Sequence, residues 1–234
     1  MPISHSPQDD LPPACRGALA VRQWLAWPLR LLLALALGLC AVSPLPADEL
    51  LAVPELIGAL QQGGLVVYCR HAATSRFGID RPEWPRVRQI QLSEEGILMA
   101  ESIGQVFRRY EIPVAEVLVS PFARNEDMGL IAFGRAETRG GLLDLHVEPA
   151  DRQARIDYSI ALLSEPVAGG GNRVLFGHSA NIRESTGIAI GNGAAVVVRP
   201  QSDLRFSVLG VIEPTDWVML AETPSNHGQP ARRP

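Results

Sequence analysis

The chain contains no lysine; all 21 of its basic residues are arginine. That absence excludes every chemistry built on a lysine amine, including a P-loop NTPase, a lysine Schiff base and Ser–Lys catalysis. Cysteine is nearly as scarce, at 3 residues, and no Cys/His cluster has the spacing of a zinc site. No calcium-loop motif, internal repeat or low-complexity tract appears. There is no basic excess either, since the net charge is −4, which argues against a general nucleic-acid binder. The apolar run over residues 31–42 is shorter than the roughly 20 residues a membrane span requires.

Hydrophobic residues make up 47% of 234, enough for the core of one ordinary domain with an appendage. The appendage reads as an export signal. Arg22 and Arg30 precede the apolar run, and Ser43-Pro44-Leu45-Pro46-Ala47-Asp48 follows it. Cleavage is expected after Ala47. Leu39, before Cys40, is too large for a usual lipobox, and a start near Val21 would give a more ordinary basic region. The expected organisation is a signal peptide over 1–47, a folded domain over 48–222 and a disordered Pro-rich tail over 223–234. An exported, periplasmic or secreted location follows from it. Processing would leave Cys69 alone, so no disulfide forms within the chain, and Cys69 reads as a small core hydrophobe.

Alternation of apolar runs and amphipathic stretches predicts strands over 65–69, 116–120 and 173–177, and a late pair over 194–198 and 204–212. Helices are predicted over 53–62, 93–110 (stripe Ile97, Ala100, Ile103, Val106, Phe107, Tyr110), 121–133, 150–163 and 182–190. Residues 72–91 form a long polar loop. Strands alternating with helices imply an α/β domain, a three-layer α/β/α sandwich around a mostly parallel sheet. Ligands bind beyond the carboxyl ends of strands in such sheets. Three loops leave those ends. They carry Arg70-His71, Ser120-Pro121-Phe122-Ala123-Arg124 and His178-Ser179-Ala180-Asn181.

Two arginines and two histidines at one sheet edge make a cationic pocket. The guanidinium fork matches phosphate oxygens, and a neutral imidazole is a competent nucleophile toward phosphorus. Arg124 at a helix start adds to this reading, because that position disfavours a cation unless an anion accompanies it.

These residues carry a resemblance. Arg70-His71-Ala72-Ala73-Thr74 is similar to the Arg-His-Gly-x-Thr signature of the histidine phosphatase superfamily, the phosphoglycerate mutase-like enzymes. Leu92-Ser93-Glu94-Glu95-Gly96, Ser120-Pro121-Phe122-Ala123-Arg124 and Val174-Leu175-Phe176-Gly177-His178 resemble its other elements in their usual order. The resemblance implies a phosphomonoester hydrolase in which His71 is the nucleophile, and Arg70, Arg124 and His178 complete the phosphate pocket. Thr74 adds a hydroxyl contact. No metal and no cofactor is implied, and the partner is a small phosphate ester or an envelope phosphate. Ala72 replaces the usual Gly, and Met128-Gly129 replaces the usual Thr-Ala. The acid-branch His-Asp motif is absent, because Ser179 follows His178. The general acid then comes from Glu137, Asp144 or Asp157, with Asp144 preferred.

Other readings stay open. Without a working acid, the domain would bind phosphate without turnover. Gly177-His178-Ser179-Ala180-Asn181 is similar to a serine-hydrolase elbow, with Asp203 or Asp216 and then His227 as partners, although Asn181 replaces the last Gly. Cys69 and Arg76 stand one residue too far apart for a cysteine-phosphatase loop. His146 and His227 lie outside any motif and read as solvent or loop residues.

Overall fold

The computed structural model describes residues 50–223. The expected leader and all but the first residue of the expected tail lie outside the described residues. Within them, α1 (Val53–Gln61) leads into β1 (Val66–Arg70), then α2 (Glu94–Arg109) and β2 (Val114–Val119). Next come α3 (Ala123–Phe133), the short β3 (Glu137–Thr138), α4 (Arg152–Ser164) and β4 (Asn172–Gly177). The described residues end with α5 (Ser179–Thr186), β5 (Ala195–Pro200), β6 (Phe206–Ile212) and α6 (Pro214–Glu222). None of these helices is long and apolar enough to cross a membrane.

The strand order is β3-β2-β4-β1-β5-β6. The first four are parallel, while β5 runs antiparallel to both β1 and β6. Alternate residues along each strand face opposite sides, and the core divides accordingly. Val67, Cys69, Val117, Val119, Val174 and Phe176 join residues of α1, α2, α3 and α6 on one face. Val66, Tyr68, Leu118, Leu175 and Val196 meet Leu162, Leu163 and Ile182 of α4 and α5 on the other. This is the expected three-layer α/β/α sandwich. Cys69 is fully buried and its thiol is pushed up by desolvation, as suits a core residue.

Several elements depart from expectation. β1 extends to Arg70, whose N–H donates to Ala194 O at 3.0 Å. Ile97 is 41% exposed, and Gly96 takes the buried register instead. There a Cβ would stand 2.1 Å from Ala73 O. Helix α5 begins at Ser179 rather than 182 and stops where Gly187 turns left-handed at φ 77°. Its first turn, Ser-Ala-Asn-Ile, is too polar to show a helical stripe. Helix α6 was not expected. Glu213 N–H donates to Asp216 at its start, and the fully buried Trp217 donates from Nε1 to Gly193 O at 3.1 Å. Gly193 N–H in turn reaches Arg70 O at 3.2 Å and His71 O at 3.3 Å, so α6 buttresses the end of β1.

Residues 72–91 are a folded strap and not an open loop. Thr74 bridges Leu92, Ser75 N–H donates to Gln91 O at 3.0 Å, and Arg76 Nη2 donates to Arg88 O at 2.6 Å. The buried Gln89 side chain donates to Pro82 O and Trp84 O and accepts Ala123 N–H at 2.8 Å. That last bond ties the strap to the first residue of α3.

Candidate active site

β1, β4 and β2 are consecutive in the sheet, so the loops beyond their carboxyl ends share one edge. His71 follows β1 directly, its N–H extending the ladder to Gly177 O at 3.1 Å. Its Nδ1 lies 2.9 Å from Ala72 O. A carbonyl oxygen only accepts, so Nδ1 carries the proton and Nε2 presents a lone pair. Burial, with Arg124 and Arg70 nearby, lowers the imidazole to about 4 against the raising effect of the Ala72 bond and Asp144. His71 is therefore neutral near neutral pH.

His178 lies across from it, with ring centroids 5.5 Å apart and the rings edge-to-face. The Ser120 hydroxyl, at 2.8 Å, and the Asn125 amide, at 3.3 Å, donate to its Nε2. With Nε2 accepting, the proton resides on Nδ1. Burial, then His71 and the two arginines, push His178 well below its ordinary value, so it too is neutral. Tyr68 clamps the His178 backbone, its Oη accepting His178 N–H at 3.1 Å and donating to His178 O at 3.4 Å. This clamp explains Gly177, where a Cβ would sit 2.1 Å from Tyr68 Oη.

Arg70 donates from Nη1 to Ile190 O at 3.3 Å. Its Nε and His178 Nδ1 are buried with no hydrogen-bond partner among the described residues. Two such donors suit an anion at this edge. Arg124 stacks its guanidinium 4.2 Å above the Phe122 ring, and Phe122 meets His178 edge-to-face at 5.4 Å. The anion expected beside Arg124 comes from the chain itself. Asp80 Oδ2 accepts Arg124 Nη1 at 2.6 Å, with both side chains under a tenth exposed (9% and 5%). Asp80 also accepts Ile90 N–H and Arg81 N–H, which pins the middle of the strap onto the site.

Asp144 sits on a tight turn in which Val147 N–H donates to Asp144 O at 3.0 Å. The buried Arg155 donates to the same carbonyl at 3.1 Å and also to Val147 O. One carboxylate oxygen accepts His146 N–H at 3.0 Å and His146 Nδ1 at 2.8 Å. The other stands 3.5 Å from His178 Nδ1, an ion-pair distance without a hydrogen bond. Burial raises this carboxyl, but His178 and the contacts with His146 outweigh it and the net direction is down. A neutral His178 has little charge to offer, so we assign the lowering chiefly to His146.

The structure thus brings Arg70, His71, Arg124, His178 and Asp144 to one edge. It does not bring the rest. Thr74 donates its hydroxyl to Arg76 O at 3.2 Å within the strap. Glu137 is exposed and pairs with Arg139, and Asp157 is exposed on α4 and accepts from Gln153. Asp203 lies in the β5–β6 turn, at the opposite end of the sheet from Ser179, and Asp216 is on α6, across the sheet from α5. His227 is outside the described residues. His146 is an exposed turn residue, as expected, but it also contacts Asp144, and Asp80, Asn125 and Arg155 are further site residues without a motif. A cation at a helix start was the one sequence signal for Asp80. Among the described residues, no group of three or more His, Cys, Asp and Glu side chains is arranged to hold a metal ion.

No family model matches the chain, and no curated protein matches it. Solved structures do. The protein histidine phosphatase SixA in complex with tungstate is 16% identical, with a TM-score of 0.45 over 65% of this chain and 98% of that one. The alpha-ribazole phosphatase from Shigella flexneri is 13% identical, with a TM-score of 0.47 over 64% of this chain and 96% of that one. A phosphoserine phosphatase mutant from Entamoeba histolytica, in complex with phosphoserine, is 12% identical, with a TM-score of 0.45 over 65% and 98%.

Proposed function

We propose that this chain hydrolyses phosphomonoesters through a covalent phosphohistidine on His71, without a metal. The observation that carries the proposal is the His71 tautomer. The Ala72 carbonyl holds Nδ1–H, which leaves the Nε2 lone pair free at a sheet edge that also carries two buried, unpartnered donors. Phosphoryl transfer asks mainly for positioning and charge neutralisation, which Arg70, Arg124 and His178 supply. Nε2 attacks phosphorus as the ester P–O bond breaks, and the leaving oxygen takes a proton from Asp144. Water then attacks the phosphohistidine, Asp144 receives its proton, and His71 is released. Asp144 has to be protonated for the first step. A dianionic phosphoryl group arriving beside it raises its proton affinity from the low resting value. In an exported protein the substrates would be phosphate esters of the envelope or its surroundings.

Two observations favour a second reading, a phosphate-binding domain without turnover. Asp144 rests as a carboxylate, and Arg124 is already paired with Asp80. A single assay separates the two. Purified protein in EDTA should release p-nitrophenol from p-nitrophenyl phosphate, and a phosphoenzyme should be trapped on His71. His71→Ala should lose both signals. Tight phosphate binding with no turnover of any ester supports the binding domain, and full activity in His71→Ala refutes the mechanism. Fluorophosphonate labelling of Ser179 would support a serine hydrolase.

A further inference from the structure

The two oxygens of Asp144 are unlike. Oδ1 accepts both the backbone N–H and the Nδ1–H of His146, at 3.0 and 2.8 Å. Oδ2 faces inward, toward His178. Two donors occupy the lone pairs of Oδ1, so a proton added to this carboxyl goes to Oδ2. Side-chain exposure falls from 80% at His146 to 25% at Asp144 and 2% at His178. The His146 ring thus buries almost nothing, and its contact with Asp144 is not a packing contact. The turn has other supports. Arg155 holds its carbonyls and Leu145 is 2% exposed in the core.

We propose that His146 is the positioning residue of Asp144. It occupies Oδ1, leaves Oδ2 as the oxygen that delivers the proton, and sets how readily Asp144 accepts that proton. This deepens the hydrolase reading and rests on it. The other groups acting on Asp144 are His178 at the start of α5, Arg70 and His71 at the end of β1, Arg124 on α3 and Tyr68 within β1. All of them remain when only residue 146 changes.

Leaving-group dependence isolates the role. p-Nitrophenolate departs without a proton, whereas the alkoxide of β-glycerophosphate needs one. In single turnovers of the full chain, which read only the step that expels the leaving group, His146→Ala should slow glycerol release from β-glycerophosphate about tenfold or more and p-nitrophenol release by less than about twofold, because Asp144, though protonated more readily, no longer has Oδ2 held toward the leaving oxygen. His146→Asn, whose amide N–H reaches the place of Nδ1, should restore most of the loss. Carboxyl carbon NMR of Asp144 supplies a readout without turnover, and its titration midpoint should rise in His146→Ala. Equal losses on both esters, no loss on either, or an unmoved midpoint overturns the proposal. If the wild-type protein hydrolyses neither ester, the hydrolase reading fails and the midpoint alone decides whether His146 governs Asp144.

Discussion

Arg124 combines three contacts, with Asp80, with the Phe122 ring and, through that ring, with His178. Asp80→Asn keeps the shape of the side chain and removes its charge. Arg124 would then have a full positive charge to offer. Calorimetric titration with inorganic phosphate should show binding several-fold tighter than wild type, and unfolding in urea should show a loss of up to about 3 kcal/mol, because a buried pair has lost one partner. His71, Arg70, Arg124 and His178 were legible in the sequence for one reason. Each follows or flanks an apolar run, and a strand end fixes where its next residue points. Asp80 and His146 were not legible so directly. Nothing in local sequence links residue 80 to residue 124, and their contact exists only because the strap folds back. Asp144 lay between. Its segment was recognisable, but only the turn built on Arg155 distinguishes it from Glu137 and Asp157.

At the scale of elements, the same strand that leads into His71 also holds the second histidine. Tyr68 reaches under β4, and Gly177 leaves room for its hydroxyl. Gly177→Ala should therefore destabilise the fold by about 1–3 kcal/mol through overpacking. Tyr68→Phe should also destabilise by about 1–3 kcal/mol, by stranding the His178 N–H. The double variant should cost less than the sum, since the ring without Oη gives the new methyl more space. Urea denaturation of the four proteins measures this coupling, and strict additivity would count against the clamp. Strands were readable because both faces are buried and the runs are continuously apolar. Helix α5 was misplaced because its polar first turn is shaped by the site. Helix α6 was missed because its Trp217 contact with Gly193 is tertiary, although Pro214 with Asp216 was an available start signal.

Across the whole molecule, two neutral histidines make stability depend on pH. His71 has a folded value of about 4 against an ordinary 6.5, and burial holds His178 well below its ordinary value too. Between about 4 and 6.5 the unfolded chain binds more protons than the folded one, so stability rises with pH across that window. The His71 contribution is fully present above about 6.5 and is lost as pH falls toward 4. Calorimetry should show the melting temperature falling as the solution is acidified over this range, with a shallower fall in His71→Asn. A flat profile would mean that His71 is not buried as a neutral base.

The Asp80–Arg124 pair also bears on how molecules reach this edge. Two guanidinium groups, of Arg70 and Arg124, share that edge with the carboxylates of Asp80 and Asp144, on a chain whose net charge is −4. Opposed charges so close together nearly cancel beyond a Debye length of about 8 Å in physiological salt. The site therefore casts no long-range field to draw anions in, and ionic strength has little hold on the rate of encounter. On the proposed function, a phosphate ester is selected at contact, by the shape and hydrogen bonding of the group it presents to Arg70, His71 and His178.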